Sequence, residues 1–482
     1  MKKALLWKLL ERFGVQGVQF ILQIILARLL SPEHYGVLSI MIVFTTLANV
    51  FIQTGFNTSL IQNKDVTEKD YSSVLWVSLG ITGILYAIIF LTAPLIAAFY
   101  NMPDLIAPFR VLALMLFPGA LNSVQLAKVS REMDFKKVFY SNVGAIIGSG
   151  LAGIVIAYLG GGLWALVAQT MLNVFIASVV MQFTSKLKIY FEVNFKRVKV
   201  LFNYGWKLLV SGLIDTLYQD LQALVVGKKY DSATLGFFNR GKQFPQFIMQ
   251  SINSTVQSVM LPAMSEQQDD KLKLKEIMRN SISLGSYIVF PMMAGLAGVA
   301  EPLVRLLLTD KWIACVPYLQ IYCLSFAFYP VHSCNLQAIN AIGRSDIFLK
   351  LEIIKKSYGL VALIIAVVCF ESPIAIALTS AITTLLSFFV NATPNKKLIN
   401  YSYFEQIKDI LPSLLISVVM FVCVVMLGTL KLNVLALVLI QVVIGIVLYF
   451  VLSEIFKIRP YQQIKSLIKN KTHKAKESNV EK

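Results

Sequence analysis

A chain of 482 residues that is 57% hydrophobic, only 15% charged and of mean hydropathy +0.69 lies outside the range of soluble globular domains and reads as a polytopic membrane protein. Its formal charge of +18 does not imply nucleic acid as a partner, because the Lys and Arg residues fall between apolar runs, where they orient helices. Five cysteines (Cys315, Cys323, Cys334, Cys369, Cys423) sit in or beside apolar runs without C-x-x-C spacing, which implies neither a disulfide framework nor a zinc site.

The N-terminus is basic (Lys2, Lys3, Lys8, Arg12) and then apolar without a small-residue cleavage site, which predicts a retained first helix. Apolar runs of bilayer-crossing length recur at 13–30, 36–61, 72–99, 105–127, 139–159, 163–183, 204–227, 233–261, 281–300, 314–341, 351–370, 373–392, 409–428 and 432–453. The fold class is therefore an all-α polytopic membrane protein of about fourteen transmembrane helices. With the N-terminus placed inside, 34 Lys and Arg fall on inside segments against 6 outside. Such an asymmetry predicts both termini in the cytoplasm and an even helix count. The basic tail over 457–482 reads as a solvated cytoplasmic segment touching anionic lipid.

A shift of 200 residues lays the stretch from Leu26 to Gly36 over that from Val226 to Gly236, and pairs Gln19 with Gln219 and Gln53 with Asn253. A shift of 212 pairs Pro118 with Pro330, Gln125 with Gln337 and Asp134 with Asp346. Two consistent offsets predict two parallel six-helix repeats, 1–200 and 201–400, followed by helices 13 and 14 over 401–456.

Polar side chains interrupt the apolar pattern at helical spacing. Arg12, Gln16, Gln19 and Gln23 share one face of the first helix. Lys207, Ser211, Asp215, Gln219 and Gln222 do so on the seventh, and Asn239, Gln243, Gln246, Gln250, Asn253 and Gln257 on the eighth, since residues three and four apart lie on one side. Polar groups in hydrocarbon are costly unless they face protein or water, so the stripes predict a hydrated cavity. Interhelical hydrogen bonding is the competing reading of the amides.

Within the apolar runs the cations Arg12, Arg28, Arg110, Lys207, Lys228, Arg240 and Lys242 outnumber the acids Asp215 and Asp220, which favours an anionic substrate. Arg28, Arg110 and Lys228 lie near helix ends, where snorkelling to the interface competes with a binding role. Arg240 and Lys242 lie deeper and suit cavity lining. Asp215 and Asp220 either neutralise Lys207 or Lys242 or bind a coupling cation. The P-loop, H-E-x-x-H and G-x-S-x-G motifs do not occur, so the sequence offers no sign of ATP hydrolysis, zinc or serine hydrolysis, or a cofactor.

The stretches Ala27-Arg28-Leu29-Leu30-Ser31-Pro32-Glu33-His34-Tyr35-Gly36, Gly55-Phe56-Asn57-Thr58-Ser59-Leu60-Ile61-Gln62 and Gly236-Phe237-Phe238-Asn239-Arg240 with Pro245 carry a resemblance. The chain resembles the polysaccharide flippases of the multidrug/oligosaccharidyl-lipid/polysaccharide superfamily, the Wzx-type transporters of O-antigen and exopolysaccharide, over nearly its whole length. It resembles the lipid II flippases less. The resemblance implies two six-helix bundles in the bacterial cytoplasmic membrane that turn undecaprenyl-pyrophosphate-linked oligosaccharide outward by alternating access. The implied partners are that substrate, membrane lipid, a coupling proton or sodium ion, and a polysaccharide polymerase with its chain-length partner. A small-cation drug exporter of the same superfamily and an integral membrane polysaccharide polymerase are the alternatives; helices 13 and 14 and the few membrane carboxylates count against the first, and the lack of a sizeable outer loop against the second.

Overall fold

The computed structural model describes residues 14–63, 65–268 and 270–466, with the side chains of 54–56, 204, 251, 253–259 and 261–262 outside the description. Arg12 and most of the basic tail lie outside the described residues. Among those residues there is no strand. The helices are α1 (Gln16–Leu29), α2 (Pro32–Gln62), α3 (Glu68–Tyr100), α4 (Ile106–Leu112), α5 (Leu116–Glu132), α6 (Phe135–Tyr158), α7 (Leu163–Ser185), α8 (Phe195–Lys229) and α9 (Ser232–Glu266). They continue as α10 (Lys271–Gly298), α11 (Ala300–Leu308), α12 (Val316–Ala327), α13 (Tyr329–Ala341), α14 (Ser345–Cys369), α15 (Pro373–Ile399), α16 (Tyr403–Leu427) and α17 (Val434–Ile455).

Ten helical segments among the described residues are long and apolar enough to cross a membrane, with α4 and α5 joined in Pro103–Glu132 and α12 and α13 in Asp310–Ala341. The protein is an all-α, multi-pass membrane protein. Four further predicted spans fall outside this set. One is α1, which is apolar but short; the others are α8, α9 and α14, whose apolar runs are interrupted by groups such as Lys207, Arg240 and Lys355. The close pair of predicted spans around Ser372 forms two separate helices, because Ser372 caps Ile374 N–H and Pro373 takes the first helical position, where its missing N–H costs nothing.

The chain divides into two compact units, Met1–Asn239 and Arg240–Lys482. In the first, α8 packs along α2 and α6 against α7. Its core at one end joins Leu60, Tyr71, Val74, Leu75, Val124, Leu187, Val198 and Leu201. In the second, α16 packs along α10, fixed by Lys275–Glu405 at 2.8 Å and Arg279–Asp409 at 2.6 Å, with Tyr401 donating to the same Asp409 at 2.7 Å. Buried amides tie three helices of that unit together. Asn335 donates to Gln406 at 2.8 Å and Asn395 to Asn335 at 2.7 Å; nearby, His332 and Asn391 meet at 3.3 Å.

The proline pair of the 212-residue shift marks the same event in each unit. Before Pro118 a 3-10 turn, Ala113–Met115, separates α4 from α5, and Pro330 stands at the second position of α13, just after the break at Phe328. A proline lacks the N–H that would bond the carbonyl four residues back and its ring crowds that carbonyl, so a broken span is the expected result. Asp134 and Asp346 likewise both stand at the start of the helix that follows.

Prolines also lie inside unbroken helices, and at two of them, Pro94 and Pro291, the freed carbonyl is served by a side chain from elsewhere in its unit. Pro94 in α3 leaves Phe90 O without its helical donor; Arg110 Nε donates to it at 3.1 Å, with the guanidinium 4.0 Å from the Phe90 ring centre. Pro291 in α10 frees Tyr287 O, and the Tyr449 hydroxyl donates to it at 2.7 Å. Hydrocarbon offers no water as a substitute partner. Arg110, for which interfacial snorkelling was open, is thus a carbonyl cap. Arg110→Ala is expected to cost about 1–3 kcal/mol, the cost of an acceptor orphaned where water cannot replace the donor, read as a lower thermal midpoint in detergent. Pro94→Ala in the same chain restores the N–H and should recover part of the loss; equal midpoints for single and double variants would refute the coupling.

Candidate functional site

Along α8 the residues Lys207, Ser211, Asp215 and Gln219 are all exposed, and Gln222 is half-buried. The neighbouring face carries Trp206, Val210, Ile214 and Leu217, all exposed as well. The third face is buried on α2 through Leu201, Ala223 and Val226. A single helix thus presents a polar strip and an apolar strip side by side. Lys207 and Asp215 stand two turns apart, roughly 12 Å at 1.5 Å per residue, too far for a direct ion pair along the helix. Asp220 is half-buried. On α1, Gln19 is exposed, and Arg28 is exposed in the last turn. Its counterpart in the 200-residue shift, Lys228, ends α8, donates to Phe99 O at 2.6 Å and lies 4.2 Å from the Phe99 ring centre.

On α9 the amide stripe passes from half-buried (Asn239, Gln243, Gln246) to exposed at Gln250; the side chains of Asn253 and Gln257 lie outside the description. Arg240 is 5% exposed. It donates to Gln243 Oε1 at 2.6 Å, and its guanidinium stands 5.2 Å from the ring centre of the fully buried Trp312. A cation over an indole face is attracted by the ring quadrupole, more strongly where water is excluded. Lys242 stands 5.9 Å from the Tyr322 ring centre. Between the two cations, a Cβ on Gly241 would lie 2.6 Å from Tyr318 Cβ and 2.8 Å from Cys315 O. The glycine lets α9 approach the Trp312–Tyr322 segment backbone to side chain, and the two long cationic side chains lie on aromatic rings to either side. Sequence spacing named Arg240 and Lys242 but missed Trp312 and Tyr322. The available signal was a glycine between two cations in mid-helix.

The starts of α2 and α9 cross at still closer range. A Cβ on Gly36 would fall 1.7 Å from Ser232 O, and one on Gly236 would fall 2.1 Å from Pro32 O. Each glycine sits on the first residue of the other helix. The contact is reciprocal under the 200-residue shift, which exchanges 32 with 232 and 36 with 236.

Residues 25–317, more than half of the chain, match the family model described as polysaccharide biosynthesis protein. The chain belongs to that family. Among curated relatives, the chain is 24% identical over 427 residues to the lipopolysaccharide biosynthesis protein WzxC of Escherichia coli K12, covering 85% of each chain. It is 22% identical over 342 residues to the succinoglycan biosynthesis transport protein ExoT of Rhizobium meliloti, covering 71% of this chain and 69% of that one. Among solved structures it shares its fold with the lipid II flippase MurJ in an inward closed conformation (TM-score 0.74, 18% identity, 94% of this chain and 98% of that one). It also shares its fold with an inward-facing multidrug resistance transporter of the MATE family (TM-score 0.61, 16% identity, 81% and 98%). The expected family and the all-α polytopic membrane fold class are both met in this chain, with ten spans among the described residues.

The crossing generates a paired expectation. Gly36→Ala and Gly236→Ala each force a methyl against a backbone carbonyl, so each should destabilise by about 1–3 kcal/mol through overpacking. Gly17→Ala meets nothing within 4 Å and should stabilise slightly, by about 0.5–1 kcal/mol, since alanine is the better helix former. Thermal unfolding of the three variants in detergent checks the signs; a neutral Gly36→Ala would contradict the close approach.

Proposed function

We propose that this protein is a transporter, not an enzyme, that moves polyprenyl-linked oligosaccharide repeat units across the bacterial cytoplasmic membrane for surface polysaccharide synthesis. It does so with fourteen spanning helices, both termini in the cytoplasm and alternating access between the repeats 1–200 and 201–400. The observation that carries this reading is the pair of exposed strips on α8, one polar with Lys207, Ser211, Asp215 and Gln219, the other apolar with Trp206, Val210, Ile214 and Leu217. An amphiphile with a hydrated sugar-phosphate head and a hydrocarbon tail needs both surfaces within one side chain's width. The names of the relatives WzxC and ExoT support the same substrate class.

In this reading Lys207 and Arg28 are the accessible cations for phosphate oxygens, with Arg12 of the first helix as a further partner. Ammonium and guanidinium bond such oxygens with charge assistance. Gln19, Gln219, Gln246, Gln250 and Asn253 offer amide donors and acceptors to sugar hydroxyls. Arg240, buried on Trp312, acts through Gln243, whose amide it orients; Lys242 takes the corresponding place beside Tyr322. Asp215 and Asp220 are the carboxylates for a coupling proton or sodium ion, and the polymerase with its chain-length partner receives the product. The fold is also that of drug transporters, so the assays below are chosen to tell the substrates apart.

Export of repeat units in a flippase-deleted host tests the reading. Lys207→Gln is expected to lower export about tenfold or more, the loss of one charged hydrogen bond, with Arg28→Ala and Arg240→Ala also reduced. Wild-type export by all three variants at unchanged protein level would remove these cations from the path. Restored drug resistance without repeat-unit export would point to the exporter, and product chain growth in purified vesicles to the polymerase.

A further inference from the structure

The connector between α7 and α8, residues 186–194, has neither helix nor strand, yet it is closely held. Leu187 at one end and Val198 and Leu201 just beyond the other are buried in the core with Leu60, Tyr71 and Val74. Between them the backbone is pinned to the first turns of α3. Tyr190 N–H donates to Ser72 Oγ at 3.0 Å and Asn194 N–H to Ser73 Oγ at 3.0 Å. The Trp76 indole donates to Tyr190 O at 2.9 Å, and Lys69 pairs with Glu192 at 2.7 Å. Arg197 bonds Asp70 at 3.3 Å and donates to Asp65 O. A segment fastened this way presents a fixed outer surface.

That surface combines two kinds of side chain that a water-facing loop would not pair. Phe191 is 88% exposed and Phe195 73% exposed, with the Phe191 ring centre 5.2 Å from that of Trp76 and the rings tilted by 37°. Around them Lys186, Lys188, Lys196 and Lys199 are all exposed. The one acid between them, Glu192, is already paired with Lys69. The strap begins where α7, a helix of membrane-crossing length, ends, and so lies at the boundary between hydrocarbon and water. Aromatic side chains favour that level, and exposed lysines there attract anionic head groups.

We propose that this strap is a binding site for anionic phospholipid, with phosphate oxygens on Lys186, Lys188, Lys196 and Lys199 and acyl chain against Phe191 and Phe195. Placing it at the cytoplasmic leaflet rests on the orientation proposed above; the chemistry of the site does not. A protein partner adding a strand is disfavoured, because Tyr190 N–H, Tyr190 O and Asn194 N–H are already bonded to α3. The strap joins the two sequence repeats, so a lipid seated there holds the start of α8 to the membrane surface while α8 carries the proposed substrate strips.

The test uses the purified full chain in nanodiscs of phosphatidylcholine with a minority of phosphatidylglycerol, one or the other brominated on its acyl chains. The difference between wild type and Trp76→Phe isolates the Trp76 fluorescence. Brominated phosphatidylglycerol should quench it more than brominated phosphatidylcholine at equal mole fraction. Each Lys→Gln change in the strap should weaken that preference by about fivefold, and the quadruple variant should abolish it. Phe191→Ser should reduce quenching by both lipids. Equal quenching by the two lipids in wild type, or a preference that survives the quadruple variant, overturns the proposal. Trp76 untouched by either lipid would place the strap in water, overturn the proposal and favour a cytosolic partner. Because no substrate or transport enters the measurement, a failure of the flippase reading leaves its outcome unchanged.

Discussion

In hydrocarbon a carbonyl oxygen without a donor cannot turn to water, and much of this structure follows from that one constraint. A soluble protein can leave the carbonyl opposite a proline to solvent. Here Pro94 and Pro291 each demand a side chain, and they receive Arg110 and Tyr449. The same rule governs helix ends: Gln441 of α17 donates to Val424 O in the last turn of α16 at 2.8 Å. The two C-terminal helices are therefore attached to the second unit by polar bonds at several levels, from Lys275–Glu405 at one end of α10 to Tyr449 on Tyr287 O. Helices held like this behave as part of one body.

Glycine answers the complementary problem of bringing helices together without a hydrophobic drive between them, since lipid tails are as apolar as the side chains. Gly241 admits α9 against Tyr318 and Cys315, and Gly36 and Gly236 admit backbone to backbone. On α8 the polar face is left exposed, while buried amides such as Asn335, Asn395 and Gln406 bond each other.

What the sequence made legible was periodic or repeated. Runs of twenty apolar residues marked most helices and Ser372-Pro373 marked the break between α14 and α15, whereas the offset of 212 paired Pro118 with Pro330 without showing that the spans break beside them. The faces of α8 and α9 could be drawn from spacing alone. What covers a face could not, because spacing carries no information about a neighbour distant in sequence. Arg240 was recognisable as a deep cation, but its burial depends on Trp312, which arrives from another helix pair. Arg110 looked like an interfacial residue for the same reason: the carbonyl it serves belongs to α3, and the cause lies in Pro94. The strap of 186–194 was visible only as a basic connector, since the serines that pin it sit in α3.

The reciprocal crossing of Gly36 and Gly236 limits what either position can accept. Elsewhere the stretches related by the 200-residue shift differ freely, as Val15 and Asp215 or Ile40 and Arg240 show. At the crossing, each glycine is hemmed in by the backbone of the first residue of the other helix, a clash that no side-chain change elsewhere can relieve. The joint works as a steric lock, in which the absence of two side chains holds two helix starts together.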